Sequence, residues 1–106
     1  MNQDVKRDDG KPKIHLVPMQ IVRDIAEVRD YGVSVKYKDK PVDSWKEVEF
    51  LRLVDAMLRH TLAFAEDMFG CDAESGIPHY KHAECNWAFI SEMMKDMEAH
   101  NEQAPV

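Results

Sequence analysis

The stretch from Ser44 to Phe69 constrains the fold more than any other part of the chain, because its apolar residues recur at helical spacing. The pattern Ser44-Trp45-Lys46-Glu47 is typical of a capping box, which begins a helix, and Gly70 is a natural stop. We therefore expect one long helix over 44–69. The apolar side of this helix, which we expect to be buried, consists of Phe50, Leu51, Val54, Met57, Leu58, Leu62, Ala65 and Phe69.

Two further helices are predicted on either side of this one. Pro18 suits a first helical turn, apolar residues follow at helical spacing, and Gly32 ends the pattern, so the first helix is expected over 18–31. Residues 33–43 are expected to form a loop. The third helix should run from about Pro78 to Glu98. No alternating strand pattern of useful length is present, so the predicted fold is an all-α, compact bundle of about three helices.

The length of 106 residues is enough for one domain with a single modest core. We expect a mobile charged tail over residues 1–10, one helical domain over 11–98, and a frayed end over 99–106. The third helix carries apolar residues around much of its circumference, which a thin bundle cannot cover. Homo-oligomerisation is therefore expected to complete the bundle.

The net charge of −6 argues against an extended nucleic-acid surface, which normally needs a basic excess. It does not exclude a small phosphorylated ligand, because a metal ion can supply positive charge. The sequence contains no run of about 18 apolar residues and begins without a hydrophobic signal core, so we expect no membrane association and a cytoplasmic location. Cys71 and Cys85 form no CxxC pair; two reduced thiols are favoured over a zinc site that they would share with histidines.

The residues most suited to chemistry are concentrated between positions 72 and 86. Asp72 and Glu74 lie in a turn, and His79, His82 and Asn86 follow on one face of the third helix, which is also its apolar face. Polar groups aimed inward need partners, and carboxylates beside imidazoles can hold a divalent cation. The alternative is that the two acids cap the helix and the histidines are packed core residues.

Two other groups could take part in such a site. On the second helix, Asp55 borders the apolar stripe and is expected to be partly buried, with Arg59 one turn away as a phosphate clamp beside His60. An ordinary solvated ion pair is the alternative for Asp55 and Arg59. Near the start of that helix, Trp45 could stack on a base beside Lys36, or could simply pack against the bundle.

The order of these motifs resembles one family over residues 11–92. The matching pieces are Lys11-Pro12-Lys13 with Leu16 and Pro18, Tyr31-Gly32, Lys36-Tyr37, Trp45, Asp55-Ala56, Arg59-His60, and Asp72-x-Glu74-Ser75-Gly76-x-x-His79-x-x-His82-Ala83-x-x-Asn86. Together they resemble the phage dATP/dGTP diphosphohydrolase family (the MazZ type), which is allied to the MazG-like all-α nucleotide pyrophosphohydrolases.

The resemblance implies an oligomeric enzyme that depends on Mg²⁺ or Mn²⁺ and acts in the cytoplasm, that of the host cell if the chain is phage-encoded. Such an enzyme cleaves purine deoxynucleoside triphosphates to monophosphate and pyrophosphate. Carried over to this sequence, the catalytic residues are Glu74 and Asp72. The implied metal ligands are Asp55, His60, Asp72, Glu74, His79 and His82. The implied nucleotide contacts are Lys36, Tyr37, Trp45, Arg59 and Asn86.

The sequence also departs from the family pattern, which leaves an alternative open. Phe69-Gly70-Cys71 stands where the family usually has Gly-Glu, and the paired Glu-x-x-Glu and Glu-x-x-Asp of MazG proteins are not present as such. A chain without one metal carboxylate could bind nucleotides without hydrolysing them. The alternative function is therefore a non-catalytic phage nucleotide-binding oligomer that sequesters a nucleotide signal, and a plain interaction module is the third.

Overall fold

Three α-helices make up most of the structure, a computed structural model that describes residues 7–100. They are α1 (Gln20–Tyr31), α2 (Phe50–Glu66) and α3 (His79–Ala99). Residues 7–100 contain no strand, only an isolated bridge between Cys71 and Pro78. The prediction of an all-α fold with three helices is confirmed. None of the described helices is long and apolar enough to cross a membrane.

The central element is α3, which packs against both other helices, whereas α1 and α2 do not pack against each other within residues 7–100. The buried core between α2 and α3 consists of Leu53, Met57 and Ile90. A short 3-10 helix over Ser44–Glu47 also contacts α3. One face of α3 is consequently crossed by the segment between α1 and α2.

The prediction of a single helix over 44–69 was wrong at both ends. The 3-10 helix over Ser44–Glu47 is separate from α2, and no side chain caps its first turn. At the other end, Asp67 has an extended backbone, and its Oδ1 accepts a hydrogen bond of 3.1 Å from the backbone N–H of Phe69. A side chain that bonds to the backbone two residues later favours a turn over a helix. This bond ends α2 before Gly70 is reached.

The predicted buried side of α2 was also wrong for most of its residues. Met57 is buried and Val54 is partly buried, but the side chain of Phe69 is 86% exposed. The other exposed members of the predicted set are Leu51, Leu58, Leu62 and Ala65. The helix instead contacts α3 through a neighbouring stripe, which includes Leu53, Met57, His60 and Phe64.

Gly32 does not end the first helix as predicted. Its backbone stays helical (φ −60°, ψ −46°), and the chain continues as a π-helix over Gly32–Lys36. The N–H of Tyr37 closes this wider turn by donating to the carbonyl of Gly32 at 2.8 Å. The predicted loop therefore begins only after Lys36. Turns of this type are frequent at functional sites.

The predicted ends of the domain lie partly outside the described residues. Of the tail predicted over 1–10, residues 7–10 are exposed and include a turn, and residues 1–6 lie outside the described part. At the other end α3 continues to Ala99, and residues 101–106 lie outside it.

An acidic side chain lies in the contact between α1 and α3. Asp24 is 3% exposed and accepts a hydrogen bond of 3.0 Å from the Gln20 side chain. The Nζ of Lys81 lies 3.7 Å from Asp24 and 2.8 Å from Glu27. Glu84 lies beside Asp24, and its Oε2 is buried without a hydrogen-bond partner. Burial, together with the hydrogen bond to Asp24 and the charge of Asp24, raises the pKa of Glu84 to about 7.

We expect Glu84→Gln to remove a contribution to stability that falls as the pH rises from 4.5 to 8. Because the folded chain favours neutral Glu84, its contribution is complete below the unfolded pKa and is lost as the pH rises through about 7. The wild-type free energy of unfolding should therefore fall by about 2 kcal/mol over this range through Glu84. Urea denaturation at several pH values measures the loss. Glu92→Gln, an exposed change on the same helix, is the control. Equal pH slopes for the wild type and Glu84→Gln would contradict the prediction.

Candidate functional site

Three histidines from two helices meet near the N-terminus of α3. The Nδ1 atoms of His60 on α2 and His79 on α3 lie 2.9 Å apart, at hydrogen-bond distance. The ring of His82 stacks on that of His60, with centroids 4.6 Å apart and planes inclined by 12°. All three side chains are half-buried. The predicted inward face of α3 therefore meets a histidine of the preceding helix.

The turn before α3 places Asp72 beside these histidines. The Oδ2 of Asp72 accepts hydrogen bonds from the backbone N–H groups of Glu74 (3.1 Å) and Ser75 (2.9 Å). The backbone of Asp72 also bonds to Ile77 and Gly76, both at 2.8 Å. Gly76 has a φ of 74°, a left-handed conformation that favours glycine. Local hydrogen bonds thus fix the position of the Asp72 carboxylate.

His60, Asp72 and His79 can each offer one ligand atom, and these atoms all lie within 4.8 Å of one another. Two ligands at right angles around one ion, each about 2.1 Å from it, are about 3 Å apart. The 2.9 Å separation of the two Nδ1 atoms fits that arrangement. Two imidazoles and one carboxylate suit Mn²⁺ better than Mg²⁺, which prefers oxygen ligands. These residues therefore fit a divalent cation.

The charge states of this cluster suit metal ligation at neutral pH. Burial, and next the nearby His82, lower the pKa of His60 to about 4. Burial also lowers the pKa of His82. For Asp72, burial opposes ionisation, but the hydrogen bonds from Ser75 and the nearby histidines outweigh it and lower its pKa. The cluster thus combines a neutral imidazole at His60 with an ionised carboxylate at Asp72.

Ser75 holds the ring of His82. Its Oγ accepts the N–H of Ile77 at 3.1 Å and lies 2.7 Å from the Nε2 of His82. The tautomer of His82 sets the direction of this second bond: the hydroxyl donates to an unprotonated Nε2 and accepts from a protonated one. His82 is not among the three converging ligands, and its predicted metal role stays a prediction. In the sequence, Ser75 is only one residue of a motif. Its bond to His82 is not predictable there, because it depends on how the turn folds.

Glu74 lies on the part of the turn that contacts the end of α1. Its Oε1 accepts a hydrogen bond of 3.4 Å from the hydroxyl of Tyr31, and its Oε2 lies 3.6 Å from the Nζ of Lys36. Glu74 is therefore near the cluster along the chain but is not one of its converging ligands. The π-helix brings Lys36 to this position. Tyr31 belongs to the sequence motif, but the motif does not predict its contact with Glu74.

Three further residues predicted for the site are not among the converging ligands. Asp55 is exposed, so the prediction of its partial burial was wrong, and it makes no ion pair with Arg59 within residues 7–100. Arg59 is exposed, although its charge acts on His60. Asn86 is half-buried, and its Oδ1 has no hydrogen-bond partner.

The two aromatic residues predicted to contact the nucleotide differ in their surroundings. Trp45 stacks on Phe89 of α3 with ring centroids 4.2 Å apart, as the packing alternative predicts. Tyr37 is exposed, and the Nζ of Lys36 lies 5.4 Å from the centre of its ring. One face of Trp45 is therefore occupied within the fold, whereas Tyr37 is open to solvent. The nucleotide roles of both residues stay predictions.

Comparison with known proteins assigns the chain to a family. No curated protein and no solved structure matches it. A family model described as "dATP/dGTP diphosphohydrolase, N-terminal" matches residues 1–103, nearly the whole sequence. The motifs that suggested this family, from Lys11-Pro12-Lys13 to Asn86, lie within the matched range. The chain therefore belongs to the dATP/dGTP diphosphohydrolase N-terminal family.

Proposed function

We propose that the chain binds purine deoxynucleoside triphosphates through a divalent cation held by His60, Asp72 and His79, and hydrolyses them between the α and β phosphates. The observation that carries the proposal is the convergence of these three donors from two helices and a turn, within 4.8 Å of one another. The name of the family to which the chain belongs supports the substrate and the reaction.

The proposed reaction adds one water to the substrate. The water oxygen bonds to the α phosphorus, and the bond from that phosphorus to the bridging oxygen breaks. Its electron pair leaves with pyrophosphate, and the other product is the deoxynucleoside monophosphate. When bound, a divalent cation supplies charge stabilisation at the phosphate oxygens and lowers the pKa of a bound water.

The chain's own residues would position the substrate and take up the proton. Lys36 lies in the half-exposed ion pair with Glu74, and a phosphate group could replace that carboxylate as its partner. Glu74, thus released, would accept the proton of the attacking water. Neutral His60 and ionised Asp72 are already in the states that bind a cation. Asn86, whose buried Oδ1 has no partner, would have to turn outward to contact the sugar.

One observation favours binding without hydrolysis as the second candidate function. The converging group holds a single carboxylate, and Glu74 is bonded to Tyr31 and Lys36 instead of joining it. Sites with two metal ions, which many phosphate-cleaving enzymes use, need further ligands to hold the second ion. A protein with one cation and no free base would retain the nucleotide and so sequester it.

Pyrophosphate release and nucleotide binding, measured side by side, separate these functions. The protein is incubated with dGTP or dATP and Mn²⁺ or Mg²⁺, and binding is followed by calorimetry. We expect release with Mn²⁺ that Glu74→Gln reduces by about 100-fold while nucleotide binding persists, which is a typical loss for a general base. Glu92→Gln, which changes an exposed glutamate elsewhere on α3, is the matched control and should retain full activity.

The remaining outcomes of this experiment decide against hydrolysis. Tight binding without pyrophosphate release by the wild-type protein would support sequestration. If neither binding nor release occurs with any of these nucleotides and metals, both candidate functions are wrong.

A further inference from the structure

Two residues of one helical segment contact the two carboxylate oxygens of Glu74. The hydroxyl of Tyr31 donates to Oε1 at 3.4 Å, and the Nζ of Lys36 lies 3.6 Å from Oε2. Tyr31 is the last residue of α1, and Lys36 is the last residue of the π-helix that follows it. Residues five apart in an α-helix are rotated by about 140°, whereas a π-helix closes its turn between residues five apart. The π-helix therefore lets both donors face one carboxylate, and we call this arrangement the Glu74 contact.

The Glu74 contact is weak enough to open. The side chains of Lys36 and Glu74 are 41% and 59% exposed, so water screens their attraction. Both of its distances are longer than that of a well-formed hydrogen bond, which is about 2.9 Å. A phosphate group carries more negative charge than a carboxylate and forms stronger bonds to lysine. Phosphate can therefore displace Glu74 from Lys36.

Glu74, once displaced, lies beside the candidate cation site. Its backbone N–H donates to the Oδ2 of Asp72 at 3.1 Å, so the turn fixes Glu74 next to the carboxylate of the cluster. Rotation about its side-chain bonds, each with three staggered positions, turns its own carboxylate away from α1. Burial lowers the pKa of His82 most, and the charges of Lys36 and Glu74 also act on that pKa. The Glu74 contact is therefore within electrostatic range of the histidines.

The candidate cation site gains from a second carboxylate. His60, Asp72 and His79 supply a single carboxylate, whereas a divalent cation carries two positive charges. Carboxylate oxygens are favoured ligands of both Mg²⁺ and Mn²⁺. Glu74 is the second acid of the turn that holds Asp72, and its negative charge is engaged by Lys36 instead. The cation site and Lys36 consequently compete for the same carboxylate.

We propose that Tyr31 and Lys36 are positioning residues that hold Glu74 away from the cation site until a phosphate group takes its place at Lys36. Release of Glu74 adds a second negative charge to the site, so phosphate and cation each strengthen the binding of the other. The inference rests on the proposed function for the cation site and the phosphate ligand. It goes beyond that function by giving Tyr31 a role and by coupling the two binding events.

Isothermal titration of the full metal-free chain with Mn²⁺, without nucleotide, tests the Glu74 contact. We expect Tyr31→Phe to bind Mn²⁺ about threefold more tightly than the wild type, which corresponds to the loss of one exposed contact. A residue that only supports the fold would give the opposite sign, because its loss would weaken the site. Tyr80→Phe, which removes the hydroxyl of an exposed tyrosine on α3, is the matched control and should leave the affinity unchanged. Circular dichroism confirms folding.

Removing the carboxylate of Glu74 tests whether the gain acts through it. In a Glu74→Gln background, Tyr31→Phe should not change the Mn²⁺ affinity, because no carboxylate remains to be released. Lys36→Met should also tighten Mn²⁺ binding, partly because a positive charge near the site is lost. The same substitution in the Glu74→Gln background measures that part alone. We expect the gain from Lys36→Met to be larger when Glu74 is present.

A titration with dGMP, the monophosphate that the proposed reaction would release, tests displacement by phosphate without turnover. At saturating dGMP, the wild type and Tyr31→Phe should bind Mn²⁺ with similar affinity, because phosphate has already displaced Glu74. No narrowing of their difference, whether or not dGMP binds, would contradict displacement by phosphate. Unchanged or weaker Mn²⁺ binding by Tyr31→Phe, beside binding by the wild type, would overturn this inference alone. A wild type that binds no Mn²⁺ would overturn the proposed function with it.

Discussion

Replacing Asp72 with asparagine is expected to weaken Mn²⁺ binding by about 100-fold or more, because it removes the only carboxylate among the three converging donors. The site would keep its two imidazole ligands, which carry no negative charge to offset that of the cation. If the proposed function is right, pyrophosphate release should fall in parallel. Isothermal titration with Mn²⁺ in the absence of nucleotide measures the first effect independently of catalysis.

Asp72→Asn removes the negative charge but keeps the hydrogen bonds of the turn, because asparagine retains a side-chain oxygen. The Oδ2 of Asp72 accepts the N–H groups of Glu74 and Ser75, and an asparagine oxygen can accept both in the same orientation. The turn should therefore persist without its charge. Asp67→Asn is the matched control, since Asp67 also bonds to a backbone N–H two residues later but lies outside the cluster. Unchanged Mn²⁺ affinity in Asp72→Asn would show that this cluster is not the metal site.

Acidification from pH 6.5 to pH 4 is expected to destabilise the metal-free protein by about 2 kcal/mol through His60. The folded pKa of His60 is lowered to about 4, so its contribution is present above the unfolded value of 6.5 and is lost as the pH falls towards 4. The lowered pKa of His82 acts in the same direction. The lowered pKa of Asp72 acts only below its unfolded value of 3.8 and does not affect this range.

Glu84 acts in the opposite direction over much of this range, so the measurement needs its removal. As the pH falls from 7, protonation of Glu84 stabilises the folded chain. Protonation of His60 in the unfolded chain has the opposite effect and destabilises the folded chain. We therefore expect the loss to be clear in Glu84→Gln protein and to shrink when His60→Gln is added. Urea denaturation at pH 6.5 and pH 4 gives both values. Little change in the wild type beside a clear loss in Glu84→Gln would support the cancellation. Equal pH slopes in Glu84→Gln and the double variant would contradict the role of His60.

The sequence predicts the number of helices and the start of α3 because periodicity and a proline before the first turn are local signals. It misplaces the end of α2, where a side chain–backbone bond at Asp67 competes with the helix. The apolar pattern of α2 also predicts that its leucine side is buried, and that prediction is wrong. An apolar stripe indicates burial but not the partner, and here α3 contacts the stripe of Leu53 and Met57 instead.

The sequence predicts the candidate site about as far as it predicts the fold: it identifies single residues but not how they meet. Spacing along α3 identifies His79 and His82, but the contact with His60 and the exclusion of Glu74 depend on how two helices and a turn meet. Asp55 was grouped with the site because it borders an apolar stripe that the chain itself leaves exposed. Contacts such as the bond between Ser75 and His82 arise only after the turn has formed.

The π-helix over Gly32–Lys36 makes the length of this short segment matter more than its composition. Its wider turn accommodates one residue more than an α-helix would. Deleting a single residue there would restore regular α-helical geometry and rotate Lys36 by about 100° about the helix axis, away from Glu74. The exposed segment over residues 37–43 carries no such constraint. Natural variation in length should therefore be tolerated after Lys36 and excluded before it.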